Sequence, residues 1–328
     1  IQIEDYLNSN SEYSYDNTLV TVFHAGLGQD FAAPLFDPTP YDIHSAYIDE
    51  SMLSDFFEVN NTTVFYASNF NDGIQLPETL NMLYYDVIED WYSPSLTASD
   101  ELENYYCDVQ YGMTGLFAYF LGYRFGFPPM HSTENILEVE SQGYSVPTRI
   151  GQFGLMDVGM FNGRGVMPAL PTSWTRDLTG IANTIDVTSD ILSNQTDDFT
   201  LSKRIDDDEI YKLSLGADEY FLFENSNNEF YYEACDEKYS LDELEYFYEY
   251  ECNYLESDEL NECCPDEEID NAYWLDIARD NNLLIINEET GVVEGILNDN
   301  YDLGMPGSGI LVWHIVEPNH SEPLDGIN

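Results

Sequence analysis

Tyr119 and Tyr123 stand four residues apart in the apolar stretch Gly115-Leu-Phe-Ala-Tyr-Phe-Leu-Gly-Tyr-Arg-Phe-Gly-Phe-Pro-Pro-Met130. That spacing is slightly more than one helical turn, so on a helix both phenols point into the same space. Two ligating side chains so placed are how a helix grips a metal ion, and a base beside them then activates the bound water. Here the pair are phenols, which are poor neutral ligands, and the residue after the first is Phe120, which cannot act as a base. The spacing suits a metal site and the chemical groups do not. His131, Glu134, Glu138 and Glu140 follow closely and could rebuild a site. Acidic residues crowd most loops of this chain, however, and a replacement catalytic site is not expected there.

Other chemistries find less support. There is no Gly-x-Ser-x-Gly elbow, no phosphate-binding loop, and only five His to serve as a base for a nucleophile. The glycines of Gly26-Leu-Gly28-Gln-Asp30 read as a turn rather than a ligand loop, and His44 as an ordinary hydrogen-bonding residue. Two acidic runs could offer hard oxygen ligands to calcium, Asp206-Asp207-Asp208-Glu209 and Asp299 to Asp302, although neither has the full EF-hand spacing. Asn60, Asn61, Asn194 and Asn319 match the glycosylation acceptor pattern, which an Asn-rich chain produces by chance.

Around the paired tyrosines the chain resembles the immune inhibitor A family of secreted metallopeptidases. Phe117-Ala118-Tyr119-Phe120-Leu121-Gly122-Tyr123, with Phe125-Gly126-Phe127-Pro128 after it, aligns with a Phe-Ala-His-Glu-x-Gly-His-x-Leu-Gly-x-Pro pattern. Val22 to Asp30, Asp37 to Ser45 and Gln75-Leu-Pro-Glu-Thr79 are similar to family segments upstream of that helix. Gly151-Gln-Phe-Gly-Leu-Met156-Asp157 resembles the methionine turn beneath the metal, and Pro168 to Trp174 the proline-rich run after it. Glu219 to Asn225 and Gly307 to Ile315 look like paired strands of the family's second region. The resemblance implies a zincin-like α/β fold in which Tyr119 and Tyr123 take the histidine places and Phe120 that of the glutamate. Pro129 falls at the third ligand and cannot ligate. It therefore implies a degenerate site that holds no zinc, with Met156 left beneath it.

The charge is extreme, with 63 Asp plus Glu against 9 Lys plus Arg and a net charge of −54. Repulsion on that scale calls for cations, supplied by calcium, by high salt or by a basic partner. Nucleic acid is excluded as a partner, because phosphate contacts need bases this chain lacks. An apolar content of 43%, of which aromatic residues are a large part, marks the chain as globular. No apolar run reaches membrane-spanning length. Nothing at Ile1 reads as a signal peptide, and the chain reads as a piece of a longer processed protein.

The elements that must position these residues follow from pattern and punctuation. A helix is expected from about Asp100 to Phe125, capped at Ser99 and stopped by Gly126 and Pro128, with the tyrosines facing the old metal cleft. Thr18 to His24 reads as a buried strand, and Asn61 to Ala67 alternates as a strand would. Residues 179–205 read as a junction with a few edge strands. Short β runs follow at Tyr211 to Leu215, Tyr220 to Phe223, Leu283 to Asn287 and Gly309 to Ile315. The expected organisation is an arm at 1–17, a zincin-like pseudopeptidase domain at 18–180, and a β-rich domain at 181–328. The last carries an acidic, Tyr- and Cys-rich insertion at 229–272, either a surface flap or a docking face.

These readings describe a catalytically inactive metallopeptidase-like scaffold, secreted or at the cell surface, with a protein or cell-surface partner. Two alternatives stay open: an active secreted hydrolase with a non-standard metal site, and an architectural subunit of a surface layer, homo-oligomer or filament. Four of the five cysteines, Cys235, Cys252, Cys263 and Cys264, crowd the acidic insertion without a zinc-binding Cys-x-x-Cys, which favours two disulfides there and an oxidising compartment. Cys107 is left as a thiol. Mass spectrometry of the unreduced protein is expected to find two disulfides among those four residues and one free thiol at Cys107; four free thiols in the insertion would refute this.

Overall fold

The computed structural model describes residues 5–6, 9–14, 17–26, 28, 43–49, 58–59, 62–63, 72–78, 80, 112–131, 148–193, 199–204, 206–228, 232–234, 237–239, 247, 278, 281–286, 293–297 and 300–317. The chain forms two compact units, residues 1–98 and 99–328.

In the first unit, β1 (Val20–His24), β2 (Ala46–Asp49) and β5 (Asp72–Pro77) make a three-stranded sheet, while β3 (Glu58–Val59) and β4 (Thr62–Thr63) pair as a short antiparallel hairpin. The strand order is β1-β5-β2, with β1 parallel and β2 antiparallel to β5. The central strand is buried on both faces, and Ile74 and Leu76 are all but inaccessible. Burying such side chains contributes roughly 1.5–3 kcal/mol each. Asp72 begins this strand and accepts a 2.5 Å hydrogen bond from the Tyr47 hydroxyl on β2. The β-branched run before His24 does form a strand, but at the sheet's edge rather than buried: Val22 is 52% and Phe23 59% exposed. Periodicity identified the strand, and its place in the strand order set its exposure.

The first described element of the second unit is α1 (Met113–Arg124). The sequence predicts one helix from about Asp100, capped at Ser99, but Gly112 is extended at φ −79° and ψ 140° and stands as the N-cap, so α1 starts there; residues 99–111 lie outside the described residues. Gly126 ends the helix in the left-handed region at φ 79°, and the Phe127 amide closes back on the Gly122 carbonyl at 2.9 Å. Against α1 lies irregular chain from Gly151 to Gly165, mostly in 3₁₀ turns. Its anchor is Asp157, which is buried. Its Oδ2 accepts hydrogen bonds from the amides of Arg149, Ile150 and Gly151 at 2.9, 2.9 and 3.2 Å, and its Oδ1 accepts from Val158 at 2.8 Å. One carboxylate thus satisfies four backbone donors that would otherwise be orphaned in a tight turn.

Next come α2 (Ser173–Thr179), capped by the Thr172 hydroxyl and ended by Gly180 at φ 71°, then β6 (Asn183–Asp186) and α3 (Thr188–Leu192). Strands β7 (Glu209–Ser214) and β8 (Glu219–Ser226) follow, then a hairpin of β9 (Tyr232–Ala234) and β10 (Glu237–Tyr239) within the acidic insertion. A second hairpin joins β11 (Leu284–Ile286) to β12 (Val293–Ile296), and β13 (Gly309–Val316) completes a four-stranded sheet of order β13-β8-β7-β6. Each of the four alternating β runs picked out in the sequence carries a strand. The β13–β8 pairing is antiparallel over eight positions, from Gly309 opposite Ser226 to Val316 opposite Glu219.

Beneath this sheet sits a buried charge network. Glu224 on β8 accepts from Arg176 of α2 through Oε2 and from the Trp313 indole through Oε1 at 2.7 Å, and it lies 3.4 Å from Arg204. Arg204 in turn donates from Nε to Asp302 Oδ1 at 2.5 Å, and Asp302 Oδ2 accepts from the Asn227 amide at 2.8 Å. The side chains of Arg204, Glu224 and Asp302 have no solvent exposure at all. Removing one member of such a set leaves a charge desolvated and unpaired, which costs about 3–5 kcal/mol. Glu224→Gln is therefore expected to lower stability by about 3 kcal/mol or more in urea unfolding. Glu219→Gln, in the half-exposed Glu219–His314 pair, is expected to cost less than about 1 kcal/mol. Equal costs would refute the network's structural role.

Candidate functional site

The two phenols of α1 meet as their spacing requires. Tyr119 Oη and Tyr123 Oη share a hydrogen bond of 2.6 Å, and the His131 Nε2 is hydrogen-bonded to Tyr119 Oη at 2.8 Å. The rings of Tyr119 and Tyr123 cross edge to face with centroids 5.2 Å apart, and Phe120 packs edge-on against Tyr119 at the same distance. Tyr119 is buried, and Tyr123 and His131 are half-buried. Burial above all, then the neighbouring Tyr123 and the Asp157 carboxylate, hold the Tyr119 phenol far above the ordinary phenol range. Burial also raises Tyr123, with the bond from Tyr119 acting in the opposite sense. Both are neutral phenols at physiological pH.

Met156 forms the floor of this cluster. It is 1% exposed and packs with Tyr119, Phe127 and Leu155. Its carbonyl accepts from the Met130 amide at 2.8 Å, which ties the segment carrying Pro129 and His131 to the turn fixed by Asp157. The seat of α1 over this turn depends on two glycines. A Cβ at Gly122 would lie 2.7 Å from the Met156 sulfur, and one at Gly115 would lie 1.7 Å from the Met160 carbonyl oxygen, a clash with rigid backbone. Only glycine lets the helix approach so closely.

The structure thus brings Tyr119, Phe120, Tyr123 and Met156 to one place. Pro129 sits on the connecting turn, and His131, two residues further on, supplies the imidazole. His131 figures in the sequence reading only as one member of an acidic replacement set. Glu134, Glu138 and Glu140 lie outside the described residues. The useful signal was His131 three residues after the Gly-x-Pro turn, where the chain doubles back towards α1.

The acidic candidates are dispersed. Asp206 and Asp207 are exposed, with their amides bonded to the Lys203 carbonyl at 2.9 and 3.1 Å. Asp208 pairs with Arg176, and Asp302 is the buried partner of Arg204. Asp299 lies outside the described residues, as do Cys107, Cys235, Cys252, Cys263 and Cys264. Among the described residues no three His, Cys, Asp or Glu side chains gather in a way that could hold a metal ion. Among them, too, no helix is long and apolar enough to cross a membrane. Arg176, Arg204 and Glu224 are absent from the sequence reading. The scarcity of bases in the chain was the hint that each would be committed to a particular partner.

Compared with family models, with curated proteins and with solved structures, the chain has no match.

Proposed function

We propose that this protein is a catalytically inactive, metallopeptidase-like scaffold with a zincin-like ancestry, secreted or displayed at a cell surface, whose work is binding rather than hydrolysis. The observation that carries this reading is the Tyr119–Tyr123–His131 cluster above Met156. Where peptide hydrolysis of this type needs imidazoles, a metal-bound water and a carboxylate base, this chain has two neutral phenols bonded to one another and a phenylalanine beside them. Neutral phenols are weak ligands for zinc, and Phe120 has nothing with which to take a proton from water. Elemental analysis of the purified protein is expected to find no stoichiometric zinc. One zinc per chain that disappears in Tyr119→Phe/Tyr123→Phe would overturn the reading.

The same reading gives the charge a role. A secreted scaffold with a net charge of −54 gains from divalent cations, and Asp206 and Asp207 are exposed carboxylates that such cations can reach. A ligand that binds only the folded state stabilises it by mass action, whereas screening by sodium acts only as the Debye length shrinks. Millimolar calcium is expected to raise the melting temperature more than magnesium or sodium does at matched ionic strength. Equal shifts from all three would leave a salt-adapted surface and no calcium sites.

A further inference from the structure

The four-stranded sheet of the second unit ends in a strand whose outer edge carries none of the usual guards against further pairing. We propose that the free edge of β13 is the interface of a homodimer, in which two copies of this chain pair their β13 strands antiparallel about a two-fold axis and so form one eight-stranded sheet. The inference goes beyond the scaffold reading and does not depend on it, since it rests on this sheet alone.

Natural sheets protect their edges with short strands, charges, prolines or bulges. The β6 edge follows that practice, being four residues long and ending in Asp186. The β13 edge does not. It runs for eight residues, Gly309-Ile-Leu-Val-Trp-His-Ile-Val316, in unbroken register with β8, and it contains no proline, acid, lysine or arginine. Among the described residues β8 is its one neighbour in the sheet. Burial shows that the far side is open. Leu222 and Glu224 of β8 are fully covered, whereas Trp313 and Leu311, opposite them on the same face, are only half-buried. On the other face Ile310, Val312 and Val316 are 53%, 54% and 65% exposed.

Charge decides what this edge takes. Each copy carries a net charge of −54, and two such chains repel unless they meet where neither has acids. The run from Leu303 to Val316 has none, in a chain with 63 acids among 328 residues. Glu219, opposite Val316 on β8, is engaged by His314 at 2.9 Å. An edge that takes a basic strand would set carboxylates opposite the incoming lysines; this one offers none. The strand also complements itself. Residues directly opposite in an antiparallel pair lie on the same face. About a two-fold axis, then, Ile310, Val312, His314 and Val316 meet their own set, and Leu311, Trp313 and Ile315 meet theirs. No such pairing opposes two acids. Assembly closes at two copies, because the pairing is isologous and consumes the unguarded edge. Backbone hydrogen bonds, about eight across strands of this length, contribute more than buried area does, so the dimer dissociates on dilution.

The test is sedimentation equilibrium of the purified chain over a range of protein and salt concentrations. A monomer–dimer equilibrium is expected, with the dimer favoured as salt rises, because screening relieves the repulsion between copies. Ile310→Glu/Val312→Glu changes two side chains already exposed in the monomer and brings four acids to the interface; it is expected to weaken association by roughly tenfold or more. Ile181→Glu/Leu192→Glu adds the same charge at positions 53% and 76% exposed outside the sheet, and is expected to leave the equilibrium within about twofold of wild type. Circular dichroism checks that each variant is folded. Hydrogen exchange is expected to slow across residues 309–316 when the wild-type protein is concentrated. A wild-type chain that stays monomeric, one that grows past the dimer, or association that the two double variants affect equally overturns the inference.

Discussion

The second unit depends on the mutual neutralisation of Arg176, Arg204, Glu224 and Asp302. These side chains come from α2, the turn before β7, the middle of β8 and the turn before β13. Each would be prohibitively costly to bury alone, and together they are tolerable only if every member arrives. Hydrophobic contacts in this unit, such as Ile210 and Leu222 with Trp174 and Trp313, bring the layers together. They do so without much regard to registration, since apolar surfaces slide. The charged set is directional. The Trp313 indole reaches Glu224 only with β13 in its observed register against β8. In a chain with 9 bases against 63 acids, committing two arginines to the interior also fixes which acids they meet.

The sequence revealed what is local and withheld what is relational. Gly126 and the alternation of β8 and β13 are properties of a few neighbouring residues, and they were legible for that reason. Asp302 and Asp208 read as open carboxylates in acidic runs, because a sequence reports that a group is charged and not what faces it. Their arginines lie nearly a hundred and about thirty residues away. Asp157 reads as one residue of a turn, yet it collects four amides at a point where the backbone doubles back. The spacing of Tyr119 and Tyr123 foretold that the phenols would face one space; the partnership with His131 required the path of the turn through Pro128 and Pro129.

The tyrosine cluster and the charge network handle polarity in the interior in different ways. The network keeps its groups ionised and matches them. The cluster keeps its phenols neutral and lets them bond to each other and to an imidazole, at a lower desolvation cost. The first arrangement tolerates no loss. The second asks less of each member, since a neutral hydroxyl that loses one partner leaves no unpaired charge behind.

The seating of α1 bears on how chains of this kind should be recognised. The helix is indexed by places where side chains are missing, Gly115 under the Met160 carbonyl and Gly122 over the Met156 sulfur. Tyr119 and Tyr123 meet beside the Met156 floor that this indexing sets, at a seat fixed by glycines rather than by the phenols themselves. A search for similar chains keyed to Tyr119 and Tyr123 would follow only the side chains of the cluster. One weighted towards Gly115, Gly122, Met156 and Asp157 would follow the backbone that seats them.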